Sequence, residues 1–174
     1  AMAARLQDPE INLAALGGIV RAMTFAIESP LLMLLTASVT FSKDWDSYRR
    51  LRIYAFWGIG IMTIVHIILS LTPAYYWVTS GLIGAPEAII EPARIGMIIT
   101  IPYLALVIYR RLNHGVLIRF GYSRTVATGT FIRLSLVITI MLVGLLLRSV
   151  SGVVIAALTM IGGVGIEAAF IEWK

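Results

Sequence analysis

Hydrophobic residues along this chain fall into five long blocks, separated by short polar or basic stretches. The blocks occupy residues 10–41, 52–71, 86–109, 125–147 and 150–171. Each reaches the roughly 20 residues that a helix needs to cross a hydrocarbon core about 30 Å thick. An unclosed sheet would leave backbone N–H and C=O groups unpaired in lipid, so each block is expected to be a helix. The pattern therefore predicts an all-α, polytopic membrane protein. About five transmembrane helices form a single domain over residues 1–174, with the first long enough to tilt or to project beyond the bilayer.

The breaks between blocks carry their own signals. "SKDWDS" ends the first block, and Asp46 or Ser47 is suited to cap the helix that follows. "TPAYYWVTSGLIGAPE" contains no Lys or Arg; Pro73 and Gly84 mark its turns, and Tyr75, Tyr76 and Trp77 suit the headgroup layer. "RRLNHGVLIRFGYSR" reads as a basic loop between the third and fourth helices. The last two helices are joined tightly around Arg148, Ser149 and Gly152. Gly58, Gly60 and the "GGVG" run at residues 162–165 permit close helix contact.

Composition strengthens the membrane reading. The 174-residue chain is 59% hydrophobic and only 13% charged, against about 25% charged in soluble domains; its mean hydropathy is +0.92. The net charge of +5 is concentrated in two connections, with Lys43, Arg49, Arg50 and Arg52 in one and Arg110, Arg111, Arg119 and Arg124 in the other. Two basic loops on one side fit membrane topology rather than nucleic acid, and that side is expected to be cytoplasmic. With five helices the N-terminus would face outward. An even count would return both ends to the cytoplasm, which gives the expectation of one further helix before Ala1. There is no cysteine for disulfide, thiol or cysteine–metal chemistry. Phosphate-cradling, zinc-protease and nucleophile-elbow motifs are absent, so neither enzyme activity nor cofactor nor metal is expected.

The chemistry of interest lies in the few polar residues within the blocks. Glu28 sits near the middle of the first, in "FAIESPLLMLL". Charge at bilayer centre costs about 2.5–3.5 kcal/mol on insertion scales, so such a residue faces the bundle interior, water or a partner. Pro30 frees the Ala26 carbonyl and bends the helix; that carbonyl and the Glu28 carboxylate together could bind a cation or proton. Pairing with an arginine, or a wet interfacial position, are the other readings of Glu28. Arg21 stands seven positions earlier on the same face, with snorkelling outward as its alternative. Arg133, early in the fourth block, is a partner for Glu28 or for an anionic substrate group, with snorkelling to the cytoplasmic edge as its alternative. His66 is either a proton relay or a hydrogen-bonded packing residue. Glu87, Glu91 and Arg94 line the start of the third block, where acids suit the helix dipole or an outer mouth. Glu167 and Glu172 are expected to be interfacial.

Taken in order, "DPEINLAALGG", "ESPLLMLLTAS", "SYRRLR", "TPAYY" and "APEAIIEPAR" resemble a MATE-type (multidrug and toxic compound extrusion) transporter of the MOP exporter-flippase superfamily, in a divergent branch. "HGVLIRFGYSRTVATGT", with Gly115, Leu117, Gly121 and Arg124, is similar to that family's Gly-rich loop, and Pro102 to the proline midway through the preceding family helix. The resemblance covers helices two to six of a six-helix lobe, one of two such lobes. It implies part of a secondary active transporter (an antiporter) that moves a small solute by alternating access, driven by a proton or sodium gradient. Its partners would be the lipid bilayer, a small-molecule or ion substrate, and a second lobe, covalent or from a homodimer. Its location would be a bacterial inner (plasma) membrane. The alternative is a non-catalytic, membrane-embedded assembly subunit.

Overall fold

Of the prolines inside the apolar blocks, Pro30 and Pro102 lie at breaks in the helix, and the chain responds differently at each. The computed structural model describes residues 9–147 and 151–173, and every regular element among them is helical. The first block comprises α1 (Pro9–Ala14), a wide π turn (Ala15–Val20), α2 (Arg21–Glu28), a tight 3₁₀ turn (Ser29–Leu31) and α3 (Leu34–Phe41). It remains one apolar span over Glu10–Phe41. Pro30 has no N–H for Ala26, but the Ser29 hydroxyl donates to that carbonyl at 2.8 Å. The carbonyl expected to join Glu28 as a cation ligand thus has one donor already, which leaves it one further lone pair.

Next come α4 (Trp45–Leu71), α5 (Ala74–Tyr76) and a second π turn (Trp77–Leu82). α4 begins well before residue 52 because Asp44, not Asp46 or Ser47, is its N-cap; the Asp44 carboxylate accepts the Ser47 N–H at 2.8 Å. Gly84, at φ 68°, then takes a left-handed conformation that a side chain would strain.

The third block is not one straight span over 86–109. It forms α6 (Glu87–Ile99) and α7 (Ile101–Arg119), which meet at Thr100 with a bend of 50°. Pro102 cannot donate to the Ile98 carbonyl; in the same turn the Thr100 hydroxyl bonds the Gly96 carbonyl at 2.9 Å, and His66 Nε2 from α4 bonds the Met97 carbonyl at 3.0 Å. α7 runs on to Arg119, so the stretch expected to be a basic loop is mostly helix. It ends in a Schellman motif, with Gly121 at φ 82° and the Tyr122 N–H bonded to the Leu117 carbonyl at 2.7 Å. α8 (Ser123–Leu147) and α9 (Gly152–Trp173) complete the chain. The connection around Arg148 and Ser149 lies outside the described residues.

Among the described residues, four helices are long and apolar enough to cross a membrane, and the bent α6–α7 pair makes a fifth if it counts as one span. The protein is thus an all-α, polytopic membrane protein. Its outer surface is apolar: Trp57 and Ile64 on α4 and Phe131, Ile138 and Leu146 on α8 are exposed, as lipid contact requires. Polar side chains lie inside, among them Ser38, Ser70, Thr100 and Thr159.

α7 is the central element, packed against α3, α4, α8 and α9. Its approach to α3 depends on Gly115, where a Cβ would lie 2.7 Å from the Leu35 carbonyl oxygen. The Ser38 hydroxyl closes this contact, donating to the Leu112 carbonyl at 2.6 Å. Farther along, Arg119 donates to the Val39 and Thr40 carbonyls at the end of α3 (2.6 and 3.0 Å), and Tyr48 Oη to Asn113 Oδ1 at 3.2 Å. These bonds bring the two basic stretches to the same end of the bundle.

Candidate functional site

Glu28 closes α2 just before the 3₁₀ turn. It is 7% exposed, and its Oε2 is buried without a hydrogen-bond partner. It lines a small cavity of about 50 Å³ together with Arg21, Thr24, Phe25, Tyr103 and Met160. Arg21 is exposed, and no ion pair closes between it and Glu28 among the described residues. A second cavity of about 210 Å³ is walled by Arg133, Leu134, Val137 and Val164, and it shares Tyr103 and Met160 with the first. Glu28 and Arg133 therefore face two adjoining chambers, with α7 and α9 each supplying one residue of the wall between them.

The two do not pair with each other. Arg133 turns to Glu167, with Nε 3.3 Å from Oε2. Glu167, expected at the interface, is instead fully buried and carries a four-partner cluster. Arg110 donates to Oε2 at 2.9 Å, the Thr130 hydroxyl donates to Oε1 at 2.9 Å, and His114 Nε2 approaches Oε1 at 3.4 Å without hydrogen-bond geometry. Helical spacing assembles this set: Arg110 and His114 share one face of α7, and Thr130 and Arg133 share one face of α8. Small residues give it room. A Cβ at Gly129 would stand 3.4 Å from Glu167 Cγ, and one at Gly163 would stand 3.2 Å from Arg133 Cγ. Two guanidiniums against one carboxylate leave a positive excess where α7, α8 and α9 meet.

Arg110 and Arg111 were expected in a loop. They lie in mid-α7, half-buried, and Arg110 is a partner of Glu167 rather than a topology signal. His66 is fully buried; a carbonyl only accepts, so its Nε2 carries the proton toward Met97, while Nδ1 has no partner. Both it and Pro102 serve the α6–α7 break. Gly58 meets Leu31 next to the Pro30 turn, whereas Gly60 faces open space.

Where α5 meets α4 and α6, Tyr76 Oη donates to Glu91, and Arg94 donates to Tyr76 Oη at 2.6 Å and to the Ser70 carbonyl at 3.2 Å. The Glu91 carboxylate raises the Tyr76 phenol above its ordinary value. At the basic end, the Ser47 amide and hydroxyl hold the Asp44 carboxyl below its ordinary value. A recess of about 370 Å³ lies beside it, lined by Lys43, Arg50 and Tyr54 among others. It is the larger space, but it touches none of the intramembrane charges. Among the described residues, no three His, Asp or Glu side chains converge in a way that would hold a metal ion.

Sequence reasoning missed Glu167, Arg110, His114 and Thr130. The available signal was the run of four-residue and three-residue spacings in α7 and α8, hidden because the first was read as loop. No protein-family model, curated protein or solved structure matches the chain.

Proposed function

We propose that the chain is part of a secondary active transporter, in which Glu28 takes the coupling proton or sodium ion and the adjoining chamber at Arg133 takes a small solute. The observation that carries this reading is the buried, unpartnered Glu28 oxygen facing a cavity that shares Tyr103 and Met160 with a second, larger one. A carboxylate held in an apolar bundle without a donor is costly unless something else occupies it part of the time. The MATE-type resemblance supports the same reading. It implies a second lobe facing this one and an alternating-access cycle in a bacterial inner membrane, with the basic end on the cytoplasmic side. The 3₁₀ turn after Glu28 and the bend at Thr100 are the places where helices could pivot.

The test is flux. In the full protein reconstituted into liposomes, an imposed proton or sodium gradient should drive solute movement, and Glu28→Gln should abolish it. Undiminished flux in that variant would sink the proposal. A non-catalytic assembly subunit is the second reading, favoured by one observation: Arg133 is engaged by Glu167, so this charge has a purely structural use. Under that reading Glu167→Gln weakens the bundle and no variant alters flux.

A further inference from the structure

The recess of about 370 Å³ at the basic end lies apart from Glu28 and from the Glu167 cluster, and its lining is of two kinds. Ser47, Arg50, Leu51 and Tyr54 stand at positions i, i+3, i+4 and i+7, so they share one face of α4. Ser47 and Arg50, with Lys43 from the connection before α4, supply a polar and cationic part. Leu51 and Tyr54, with Phe41 from the last turn of α3, supply an apolar part. From Ser47 to Tyr54 the face extends only about 10 Å along the helix axis.

The recess sits where hydrocarbon gives way to headgroups. Phe41 is the last residue of the apolar span Glu10–Phe41, and both Phe41 and Tyr54 are exposed. Trp45 is exposed beside them, and Trp and Tyr gather at the membrane–water interface. The positive charge there is unspent. Lys43 and Arg50 are exposed and close no ion pair among the described residues. The nearby Asp44 carboxylate is engaged by the Ser47 amide and feels the Arg50 charge without pairing with it. Around the recess Lys43, Arg49, Arg50 and Arg52 outnumber Asp44 and Asp46.

From this we infer that the recess binds one anionic phospholipid, its phosphate held between Lys43 and Arg50 and its upper acyl carbons laid against Phe41, Leu51 and Tyr54. A soluble phosphate would leave the apolar lining unused. A zwitterionic lipid would bring its own cation beside two others, and basic recesses at the ends of transmembrane helices suit anionic headgroups. The site is independent of the transporter reading above.

The probes are dioleoylphosphatidylglycerol, dioleoylphosphatidylcholine, which is zwitterionic, and glycerol 3-phosphate, which has no acyl chain. Binding of each to the full protein is measured at equilibrium in a neutral detergent. The phosphatidylglycerol should bind at least about tenfold more tightly than either of the others. Lys43→Gln and Arg50→Gln should each weaken it at least about tenfold, the loss expected for one charge-assisted contact. Arg49→Gln makes the same change of charge one position away, outside the lining, and should weaken it several-fold less. Phosphatidylcholine binding as tightly would mean an ordinary boundary lipid, and glycerol 3-phosphate binding as tightly would mean a site for soluble phosphate esters. Equal losses in Arg49→Gln and Arg50→Gln would mean a diffuse basic surface, and no binding of any probe would remove the site. Each of these four results overturns the inference.

Discussion

Glu28 and Glu167 are both carboxylates buried inside apolar helices, and the bundle treats them in opposite ways. Glu167 is surrounded by two arginines, a histidine and a threonine hydroxyl drawn from α7 and α8. Glu28 has an oxygen with no donor and a cavity in front of it. Desolvating a carboxylate costs several kcal/mol in either place, but only at Glu167 do fixed partners offset that cost. Burial alone thus fails to separate a structural charge from a functional one. The partner inventory separates them.

The sharpest way to test the contrast is Glu167→Gln. It leaves the half-buried Arg110 and Arg133 without their counter-charge, and breaking a fully buried pair costs about 3–5 kcal/mol as an upper bound; a marked fall in the thermal unfolding temperature in nanodiscs is expected, and an unchanged one would show that the cluster holds nothing together. Thr130→Val removes one neutral donor to the same carboxylate, for a loss of about 1 kcal/mol by the same measurement. Asp44 gives a solvent-exposed reference. Its carboxyl lies below the ordinary 3.8 because Ser47 donates to it in the folded state. The cap therefore contributes fully above that ordinary value and is lost as pH falls through the lower folded value. Asp44→Ala should remove this acid-side component from the pH dependence of unfolding. Glu28→Gln should have the smallest effect on stability, none or a slight gain, because no partner is orphaned and a charge is removed. A loss as large as that of Glu167→Gln would abolish the contrast.

Much of the architecture could be read from hydrophobic blocks alone, since a helix in lipid must bury its own backbone bonds whatever its neighbours are. The Glu10–Phe41, α8 and α9 spans appear close to where the apolar residues lie. The third block was misjudged at both of its ends of meaning. Arg110 and Arg111 looked like a helix exit because two adjacent cations are costly in lipid, yet the carboxylate that makes Arg110 tolerable lies far along the chain, on α9. No local pattern encodes that pairing. Glu167 was misplaced for the same reason: near the end of its block, it resembled an interfacial acid until α7 was seen to run alongside it. Glu28 and Arg133 were visible as charges at depth, but that they face adjoining chambers rather than each other is a matter of rotation about helix axes, which small differences in packing decide.

The bend at Thr100 has a mechanical consequence. Pro102 fixes where the third block yields, but a proline sets no particular angle. His66, reaching across from α4, is bonded to the Met97 carbonyl and has no other side-chain partner. Opening or straightening the elbow would pull that carbonyl away and leave an imidazole stranded among apolar neighbours. The histidine is a tether between helices: it sets the working angle of the elbow from outside, and its ring nitrogen signals in an NMR spectrum would register any change in that angle as it happened.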